Sequence, residues 1–244
     1  MIIFYFSATG NSKYISELFA ENMNCGCYSI EENLNFESFI KSNDTIAFCY
    51  PIYFSRVPRI MREFADRYMD LLKNKKLIIF CTQQILSGDG ARAFADLFPR
   101  DYIEVIYAEH FFMPSNVAPI STDKNKIKKY TQKVVPKMQI VCNNIKNNKI
   151  KKRGFSVGSR ALGLIQAPLL PPAERKANRD IKIFDDCTGC GLCVSACPMK
   201  NLYIEDNTVL NNHNCTVCYR CINKCPQKAI NFFNKKIKKQ YKGI

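Results

Sequence analysis

The sequence predicts an α/β protein: a doubly wound parallel sheet followed by a smaller second domain. Two observations predict this. In the first part of the chain, short apolar segments of strand length alternate with segments of helical periodicity, an order typical of parallel sheets with helices on both faces. Near the other end, eight of the thirteen cysteines fall into one spacing that occurs twice. The 244 residues leave room for a domain of about 150 residues with its own core and a small cysteine-rich module.

The predicted strands and helices alternate along the first part of the chain. The strand-length apolar segments are Ile2–Phe6, Cys25–Ile30, Thr45–Cys49, Leu77–Cys81 and Ile103–Tyr107, of which the second is the weakest. The segments with helical periodicity are Asn11–Met23, Pro58–Leu72, Ala91–Phe98 and residues 127–145. Ligands of doubly wound sheets bind beyond the carboxyl ends of the strands. We therefore expect the chemistry of this part to lie in the loops that follow the strands.

The loop after the first strand predicts a phosphate site. Its sequence is Ser7-Ala8-Thr9-Gly10-Asn11-Ser12, and a helix follows directly. A phosphate at the start of a helix meets free backbone N–H groups and the positive end of the helix dipole. Hydroxyl and amide side chains add neutral donors, and Gly10 lets the backbone approach closely. The loop lacks the glycines of a dinucleotide turn and the lysine of a Walker loop. A plain helix cap is the alternative, but a cap needs one hydroxyl rather than three.

This loop resembles the phosphate loop of flavodoxins, a hydroxyl-rich T/S-x-T-G-N-T/S turn. The resemblance implies a flavodoxin-like domain that binds FMN. The residues implied for the phosphate are Ser7, Thr9, Gly10, Asn11 and Ser12. It also implies that the isoalloxazine ring lies between two further loops, after the third and fourth strands.

The third strand is followed by Tyr50-Pro51-Ile52-Tyr53-Phe54. The resemblance implies that Pro51 and Tyr53 bind the flavin and that Tyr53 stacks on its ring. Core packing of Tyr50 or Phe54 is the alternative for the aromatics of this loop. The fourth strand leads to Thr82, Gln83 and Gly88, whose backbone is implied for the pyrimidine edge. Gly88 follows the threonine at a greater distance than in the simplest flavodoxins, and a plain turn residue is the alternative there.

Cysteine spacing predicts iron–sulfur clusters in the second part of the chain. The pattern C-x2-C-x2-C-x3-C, followed by proline, is formed by Cys187, Cys190, Cys193 and Cys197 and again, 28 residues later, by Cys215, Cys218, Cys221 and Cys225. Three thiolates at i, i+3 and i+6 on a tight loop can ligate three corners of one cubane. Zinc would use two cysteine pairs well apart, with no role for a third cysteine so close. Disulfides would need an oxidising compartment.

The two runs resemble those of bacterial two-[4Fe–4S] ferredoxins, in which the fourth cysteine of each run ligates the other cluster. The resemblance implies that cluster one is bound by Cys187, Cys190, Cys193 and Cys225. It implies that cluster two is bound by Cys215, Cys218, Cys221 and Cys197. One difference between the repeats is that Gly191 corresponds to Tyr219, which Arg220 follows, so we expect cluster two to be better shielded from water. The other five cysteines lie at apolar positions and predict buried thiols.

These resemblances predict a flavodoxin–ferredoxin fusion of the kind found in anaerobic bacteria. The predicted parts are residues 1–150 as the FMN-binding domain, 151–180 as a connector and 181–244 as the two-cluster domain. The connector contains glycines and prolines around an apolar patch, and we expect it to be ordered and packed on one or both domains. A segment on a membrane surface is the alternative, weakened by the short, proline-broken apolar run.

Charge is the least specific signal. The formal net charge is +15, and residues 124–153 contain eleven Lys or Arg and no acid. The solvated face of the last predicted helix accounts for many of these lysines. A basic surface would also attract acidic electron carriers. Nucleic-acid binding is disfavoured because no recognition motif accompanies the charge. No apolar stretch reaches the length of a membrane span, and the chain begins with a predicted strand rather than a signal peptide.

The predicted function is an electron-transfer relay between FMN and two [4Fe–4S] clusters, with redox proteins as partners. A bound flavin exchanges one or two electrons, whereas each cluster exchanges one. The alternative is an FMN-dependent reductase of a small substrate that the clusters supply with electrons. No catalytic residue is predicted, since the loops expected around the flavin offer only His110 as a candidate acid or base. Reduced thiols and oxygen-sensitive clusters predict the cytoplasm, most plausibly of an anaerobe.

Overall fold

A six-stranded parallel sheet forms the first part of the protein. The computed structural model describes residues 1–117, 124–232 and 236–244. The strands of the sheet are β1 (Ile2–Tyr5), β2 (Gly26–Ser29), β3 (Thr45–Pro51), β4 (Lys76–Gln83), β5 (Glu104–Phe112) and β6 (Lys151–Lys152). Their spatial order is β2-β1-β3-β4-β5-β6. The order reverses between β1 and β3, and such a switch point is where ligands of doubly wound sheets bind.

Among the described residues, six helices cover the two faces of the sheet. They are α1 (Asn11–Met23), α2 (Phe36–Lys41), α3 (Arg59–Arg67), α4 (Met69–Leu72), α5 (Gly90–Ala95) and α6 (Lys124–Lys146). Helices α1 and α6 pack on one face through side chains such as Phe19 and Met138, both fully buried. Helices α2, α3 and α5 pack on the other face, where Phe36, Phe64 and Phe94 belong to one aromatic core. The predicted doubly wound α/β fold is confirmed.

The helices and strand β5 differ in places from the predicted elements. The predicted helix Pro58–Leu72 is interrupted at Tyr68, which separates α3 from α4. Helix α2 is too short for its periodicity to stand out. Strand β5 continues five residues beyond the predicted end, so His110 lies inside the sheet, fully buried, and not on a loop at the sheet rim as expected. Charge neutralisation explains this extension, because the buried Glu109 is paired with Lys137 and Lys151.

The connector is helical. It forms α7 (Val157–Gln166), a 3-10 turn (Ala167–Leu169) and α8 (Leu170–Arg179). Gly163 of α7 packs so closely on Asp89 that an added Cβ would lie 1.7 Å from the Asp89 Oδ1 atom. At the other end, Ala177 of α8 belongs to the core of the cysteine-rich part. The connector was expected to be ordered and packed on one or both domains, and these contacts reach both parts of the chain.

The described residues of the cysteine-rich part form two small antiparallel sheets and two short helices. Its elements are β7 (Lys182–Ile183), α9 (Leu192–Ser195), β8 (Leu202–Glu205), β9 (Thr208–Asn211), α10 (Arg220–Lys224) and β10 (Ile230–Asn231). Strand β7 pairs with β10, and β8 pairs with β9 across a tight turn. Asp206 and Asn207 have positive φ angles in that turn, as a two-residue hairpin of the favoured type requires. Each cysteine run therefore carries one short helix, as expected for an internal repeat.

Candidate functional site

A cavity of about 560 Å³ opens at the carboxyl ends of β1, β3, β4 and β5. Eight of the ten residues predicted to bind the flavin line it: Ser7, Thr9, Asn11, Ser12, Pro51, Tyr53, Thr82 and Gln83. The loop after β5 contributes residues 113–117, and the connector contributes residues from Gln166 to Ala177. The cysteine-rich part closes the cavity with Val217, Tyr219 and Phe232. The site therefore lies between the two parts of the chain.

The start of α1 is suited to an anion. Gly10, at the N-terminal boundary of the helix, has φ +103°, a left-handed conformation that favours glycine. No side chain caps the helix there, so the first backbone N–H groups of α1 have no side-chain acceptor. The Ser7 hydroxyl accepts a hydrogen bond from the Gly10 N–H (3.1 Å) and thereby shapes the loop. These N–H groups are what a phosphate would contact.

The polar side chains of this loop have different roles. The buried Ser12 hydroxyl is 2.8 Å from the Thr82 hydroxyl and joins the loops after β1 and β4. The Asn11 amide donates to the Pro114 carbonyl (2.7 Å) and its oxygen accepts from the Tyr241 hydroxyl (2.5 Å). Thr9 lines the cavity, and its hydroxyl has no partner among the described residues. The Thr9 hydroxyl is therefore free to donate to a ligand.

Buried polar atoms in the wall fit a ligand with polar edges. The Tyr53 hydroxyl and the Gln83 Oε1 atom are both buried without a hydrogen-bond partner in the described chain. Burial also raises the pKa of Tyr53 well above its usual value, so the phenol stays protonated and can donate. An unpaired buried polar group is costly, and a ligand that pairs with both atoms would remove that cost. The cavity therefore fits the flavin that the loops imply.

The aromatic residues of the loop after β3 lie in different environments. Tyr53 lines the cavity, whereas the fully buried Tyr50 donates its hydroxyl to the Gly90 carbonyl (2.9 Å) in the core. Phe54 also lines the cavity but is 43% exposed. The two remaining predicted residues, Gly10 and Gly88, do not line the cavity. Gly88 has φ +44° and packs against Ser55, an arrangement of the turn itself.

The eight repeated cysteines line two separate sites. The first is lined by Cys187, Cys190, Cys193 and Cys225, and the second by Cys197, Cys215, Cys218 and Cys221. Each site thus contains three cysteines of one run and the fourth of the other, which is the crossed arrangement implied by the ferredoxin resemblance. No three His, Cys, Asp or Glu side chains of the described residues are close enough to ligate a single metal ion. A tetrahedral zinc ion would need four ligands within about 2.3 Å of one point, and neither group of four cysteines converges in that way.

Backbone N–H groups donate to the cysteine sulfurs in a repeated manner. The Asn201 N–H donates to Cys197 Sγ (3.2 Å), and the Ala229 N–H donates to Cys225 Sγ (3.3 Å). These two bonds occupy equivalent positions four residues after the last cysteine of each run. Hydrogen bonds to the ligand sulfurs are one of the features by which a protein sets a cluster's reduction potential. Both cysteine sites therefore fit an iron–sulfur cluster.

The cavity and the second cysteine site share a wall. Tyr219 and Phe232 line both, and their rings meet edge to face with centroids 5.3 Å apart. Neither residue lines the first cysteine site, where Cys190 is exposed. The sequence difference at Tyr219 indicated that the second run was special, although not that this residue reaches the cavity. Nothing in the sequence of the connector indicated that Gln166, Leu170 or Lys176 would line it.

Comparison with known proteins agrees with both parts. Residues 2–118 match the flavodoxin domain family, and residues 179–226 match the 4Fe-4S dicluster domain family. The chain is therefore a fusion of a flavodoxin domain with a 4Fe-4S dicluster domain. A flavodoxin domain implies a flavin, and a dicluster domain implies 4Fe-4S clusters, so the class is that of flavin and iron–sulfur electron transfer. A search of curated proteins found no match.

Solved structures similar to the chain include flavodoxins. A flavodoxin from the domain Archaea is 13% identical with a TM-score of 0.39, covering 58% of this chain and 97% of its own. Oxidised Flavodoxin 2 from Bacillus cereus is 15% identical with a TM-score of 0.38, covering 55% of this chain and 94% of its own. A WrbA-like flavodoxin from Agrobacterium tumefaciens is 16% identical with a TM-score of 0.42, covering 61% and 97%. Within the described residues, no helix is long and apolar enough to cross a membrane.

Proposed function

We propose that the protein is an electron-transfer relay in which FMN and two [4Fe–4S] clusters lie in series. The observation that carries this proposal is the wall shared by the cavity and the second cysteine site, formed by Tyr219 and Phe232. Cluster two would then be the neighbour of the flavin. Cluster one, at the site where Cys190 is exposed, would exchange electrons with a partner protein. Two electrons that arrive as a pair would leave singly.

We assign the phosphate of FMN to the start of α1. The proposed contacts are the backbone from Thr9 to Ser12 and the Thr9 hydroxyl, while Ser7, Asn11 and Ser12 fix the loop through their own hydrogen bonds. The ring would lie between Tyr53 and the Thr82–Gln83 segment, where two buried polar atoms lack partners. The absence of a second phosphate loop in the sequence favours FMN over a dinucleotide.

The relay is favoured over a reductase by the chemistry of the cavity wall. Among the described residues that line it there is no carboxylate, histidine or cysteine; the ionisable side chains are Tyr53, Lys176 and Tyr219. Reduction of a small substrate at the flavin generally uses a proton donor, and the described part of the wall offers two phenols and one amine but none of the carboxyl or imidazole groups that titrate below pH 7. His110 is not available, since it is fully buried with its Nδ1 2.5 Å from the Ser87 hydroxyl.

We also propose the setting in which the relay works. Redox proteins with acidic surfaces are the expected partners, since the formal net charge of +15 would attract them over long range. Oxygen-sensitive clusters and reduced thiols favour the cytoplasm of an anaerobe. We propose that the three parts of the chain have their boundaries near residues 150 and 180. The first boundary lies between α6 and β6, and the second lies at the end of α8.

Cofactor stoichiometry tests the proposed centres. Protein purified without oxygen should contain about eight irons, eight sulfides and one FMN per chain, because eight ligands serve two cubanes and one phosphate loop serves one flavin. Metal analysis, sulfide assay and chromatography of the released flavin measure this. Zinc at two per chain without sulfide would overturn the cluster assignment, and FAD in place of FMN would overturn the flavin assignment.

The order of the centres is tested by two matched variants. Cys197→Ala should damage cluster two although the residue lies in the first run, and Cys225→Ala should damage cluster one although it lies in the second. Electron transfer from the flavin to the remaining cluster should be lost in Cys197→Ala and retained in Cys225→Ala. The reverse result would place cluster one beside the flavin and contradict the proposed order.

A further inference from the structure

The two cysteine runs are built alike but differ on the side that faces the flavin cavity. Three positions of the first run, Gly189, Gly191 and Leu192, correspond to Val217, Tyr219 and Arg220 of the second run, in that order. All three differences introduce a larger or charged side chain into the second run. None of the three is needed for cluster ligation, because the first run forms the same loop without them.

Two of these side chains are placed at a conformational cost. Val217 (φ +57°) and Tyr219 (φ +61°) have left-handed backbones, like Gly189 (φ +65°) and Gly191 (φ +72°) at the equivalent positions. A β-branched or aromatic residue is disfavoured in this region, so its presence points to a gain elsewhere. Both Val217 and Tyr219 line the flavin cavity, whereas the two glycines do not. The strained residues are therefore those that reach the cavity.

Arg220 uses all five of its N–H donors. The guanidinium donates from Nε to the Ala8 carbonyl (2.9 Å), from Nη1 to Glu31 Oε1 (2.6 Å) and the Ala196 carbonyl (3.1 Å), and from Nη2 to the Ser7 carbonyl (2.8 Å) and Glu31 Oε2 (2.6 Å). Its side chain is only 11% exposed, and the guanidinium carbon lies 5.5 Å from the centre of the Phe6 ring. A guanidinium with every donor satisfied is fixed in position and direction.

The five acceptors belong to both sites. Ser7 and Ala8 begin the phosphate loop, and Glu31 follows β2 on the same domain. Ala196 directly precedes Cys197, the ligand that the first run gives to cluster two. Arg220 itself lies between two further ligands of that cluster. One side chain thus joins the loop that would bind the flavin phosphate to both runs at cluster two, whereas its counterpart Leu192 is 48% exposed.

We propose that Arg220 is a positioning residue that sets the distance between the flavin and cluster two, and that Tyr219 is the side chain lying between them. This inference rests on the relay function proposed above. In each transfer the flavin is oxidised by one electron, cluster two is reduced by one, and any proton that the flavin loses passes to solvent. The three substitutions relative to the first run thereby decide which cluster receives electrons from the flavin.

The test is the rate of electron transfer in the anaerobic holoprotein after flash reduction of the flavin. Arg220→Leu places the first run's residue in the second run and should slow transfer at least tenfold in the protein that retains its flavin and iron. The melting temperature should fall as well, because Glu31 loses its buried partner. Arg220→Lys retains the charge but cannot reach five acceptors, so its rate should fall as well. Leu192→Ala, the matched control in the first run, should transfer at the wild-type rate.

Glu31→Gln provides a second route to the same bond network, since Glu31 touches no cluster ligand and leaves cluster assembly intact. It should also slow the transfer. The double variant with Arg220→Leu should be no slower than Arg220→Leu alone, because Arg220→Leu already removes both bonds to Glu31. Wild-type rates in Arg220→Lys and Glu31→Gln would overturn the positioning role while leaving the relay intact. A wild-type protein that shows no transfer within one molecule would instead overturn the relay itself.

Discussion

Thr9 offers the sharpest residue-level test of the phosphate loop. Its hydroxyl lines the cavity without a protein partner, so Thr9→Ala removes a donor to a charged ligand and breaks no bond within the chain. Hydrogen bonds to charged groups are worth about 1.5–3 kcal/mol, which predicts an FMN affinity lower by roughly ten- to a hundredfold. Thr9→Ser should retain the affinity. Titration calorimetry with FMN and riboflavin measures the effect, and equal losses for the two ligands would contradict a phosphate contact.

His110 predicts an acid-sensitive step in folding stability. Burial, followed by the nearby Arg153, lowers its pKa to about 4, and Glu109 only partly opposes this. The unfolded chain binds the proton near pH 6.5. Stability should therefore be complete above pH 6.5 and fall towards pH 4, by up to about 1.4 kcal/mol per pH unit.

Urea unfolding at several pH values measures this dependence, with His110→Gln as the variant that removes the titrating group. The slope between pH 6.5 and pH 5 should be shallower in His110→Gln than in wild type. His213→Gln, at the exposed histidine of the second part, is the matched control and should keep the wild-type slope. Identical slopes in all three proteins would show that His110 is not the titrating group.

The role of a residue could be predicted from the sequence where a local motif fixes it. It could not be predicted where contacts with distant parts of the chain fix it. The eight repeated cysteines are set by local spacing, and they line two sites in the grouping that the ferredoxin resemblance implies. Their ligation of clusters stays a prediction. The role of Asn11 could not be predicted, because its amide contacts Pro114 and Tyr241, which are far away in sequence. Tyr219 was visible only as a difference between the repeats.

At the scale of elements, the connector helix α7 depends on one close contact. Gly163 packs on the buried Asp89, and Arg56 approaches both, at 3.4 Å from Asp89 Oδ1 and 3.5 Å from the Gly163 carbonyl. Gly163→Ala forces the helix away from the loop before α5 and should cost about 1–3 kcal/mol, as overpacking does. The flavin affinity should fall too, because Gln166 at the end of α7 lines the cavity.

Gly158 of the same helix is the matched control, since an added Cβ there would meet nothing within 4 Å. Gly158→Ala should leave flavin affinity unchanged and raise stability by up to about 1 kcal/mol through helix propensity. Denaturant unfolding and flavin titration of both variants measure these effects. A Gly163→Ala protein as stable as Gly158→Ala would show that α7 is not held against Asp89.

Element types were predictable for β1 to β5, because each of these strands is an apolar segment between polar turns. Strand β6 consists of two exposed lysines and was not predicted. Strand β5 was predicted too short, since its second half contains Glu109 and His110, which become compatible with burial only when Lys137 and Lys151 supply the compensating charge. The helices of the connector were not predicted, because glycines and prolines obscure their periodicity. The extension of β5 has a tertiary cause, which no local pattern carries.

At the scale of the whole molecule, the sequence predicted the two parts and the structure adds their contact. The second cysteine run lies over the carboxyl ends of the strands, where Asn116 donates to the Cys218 carbonyl (3.1 Å) and Thr216 accepts from the Arg59 N–H (3.2 Å). The carboxyl-terminal segment adds Tyr241, which joins Asn11 to Asn223. Two domains that only share a chain would not need these bonds, which argues for a single working unit.

The most direct test of this unit is the order of the reaction between the flavin and the clusters. After flash reduction of the flavin in the anaerobic holoprotein, absorbance of the clusters should decay with a first-order rate that stays constant over a hundredfold range of protein concentration. Transfer within one molecule across the wall formed by Tyr219 and Phe232 predicts this result. A rate proportional to protein concentration would contradict it and would leave two tethered but independent carriers.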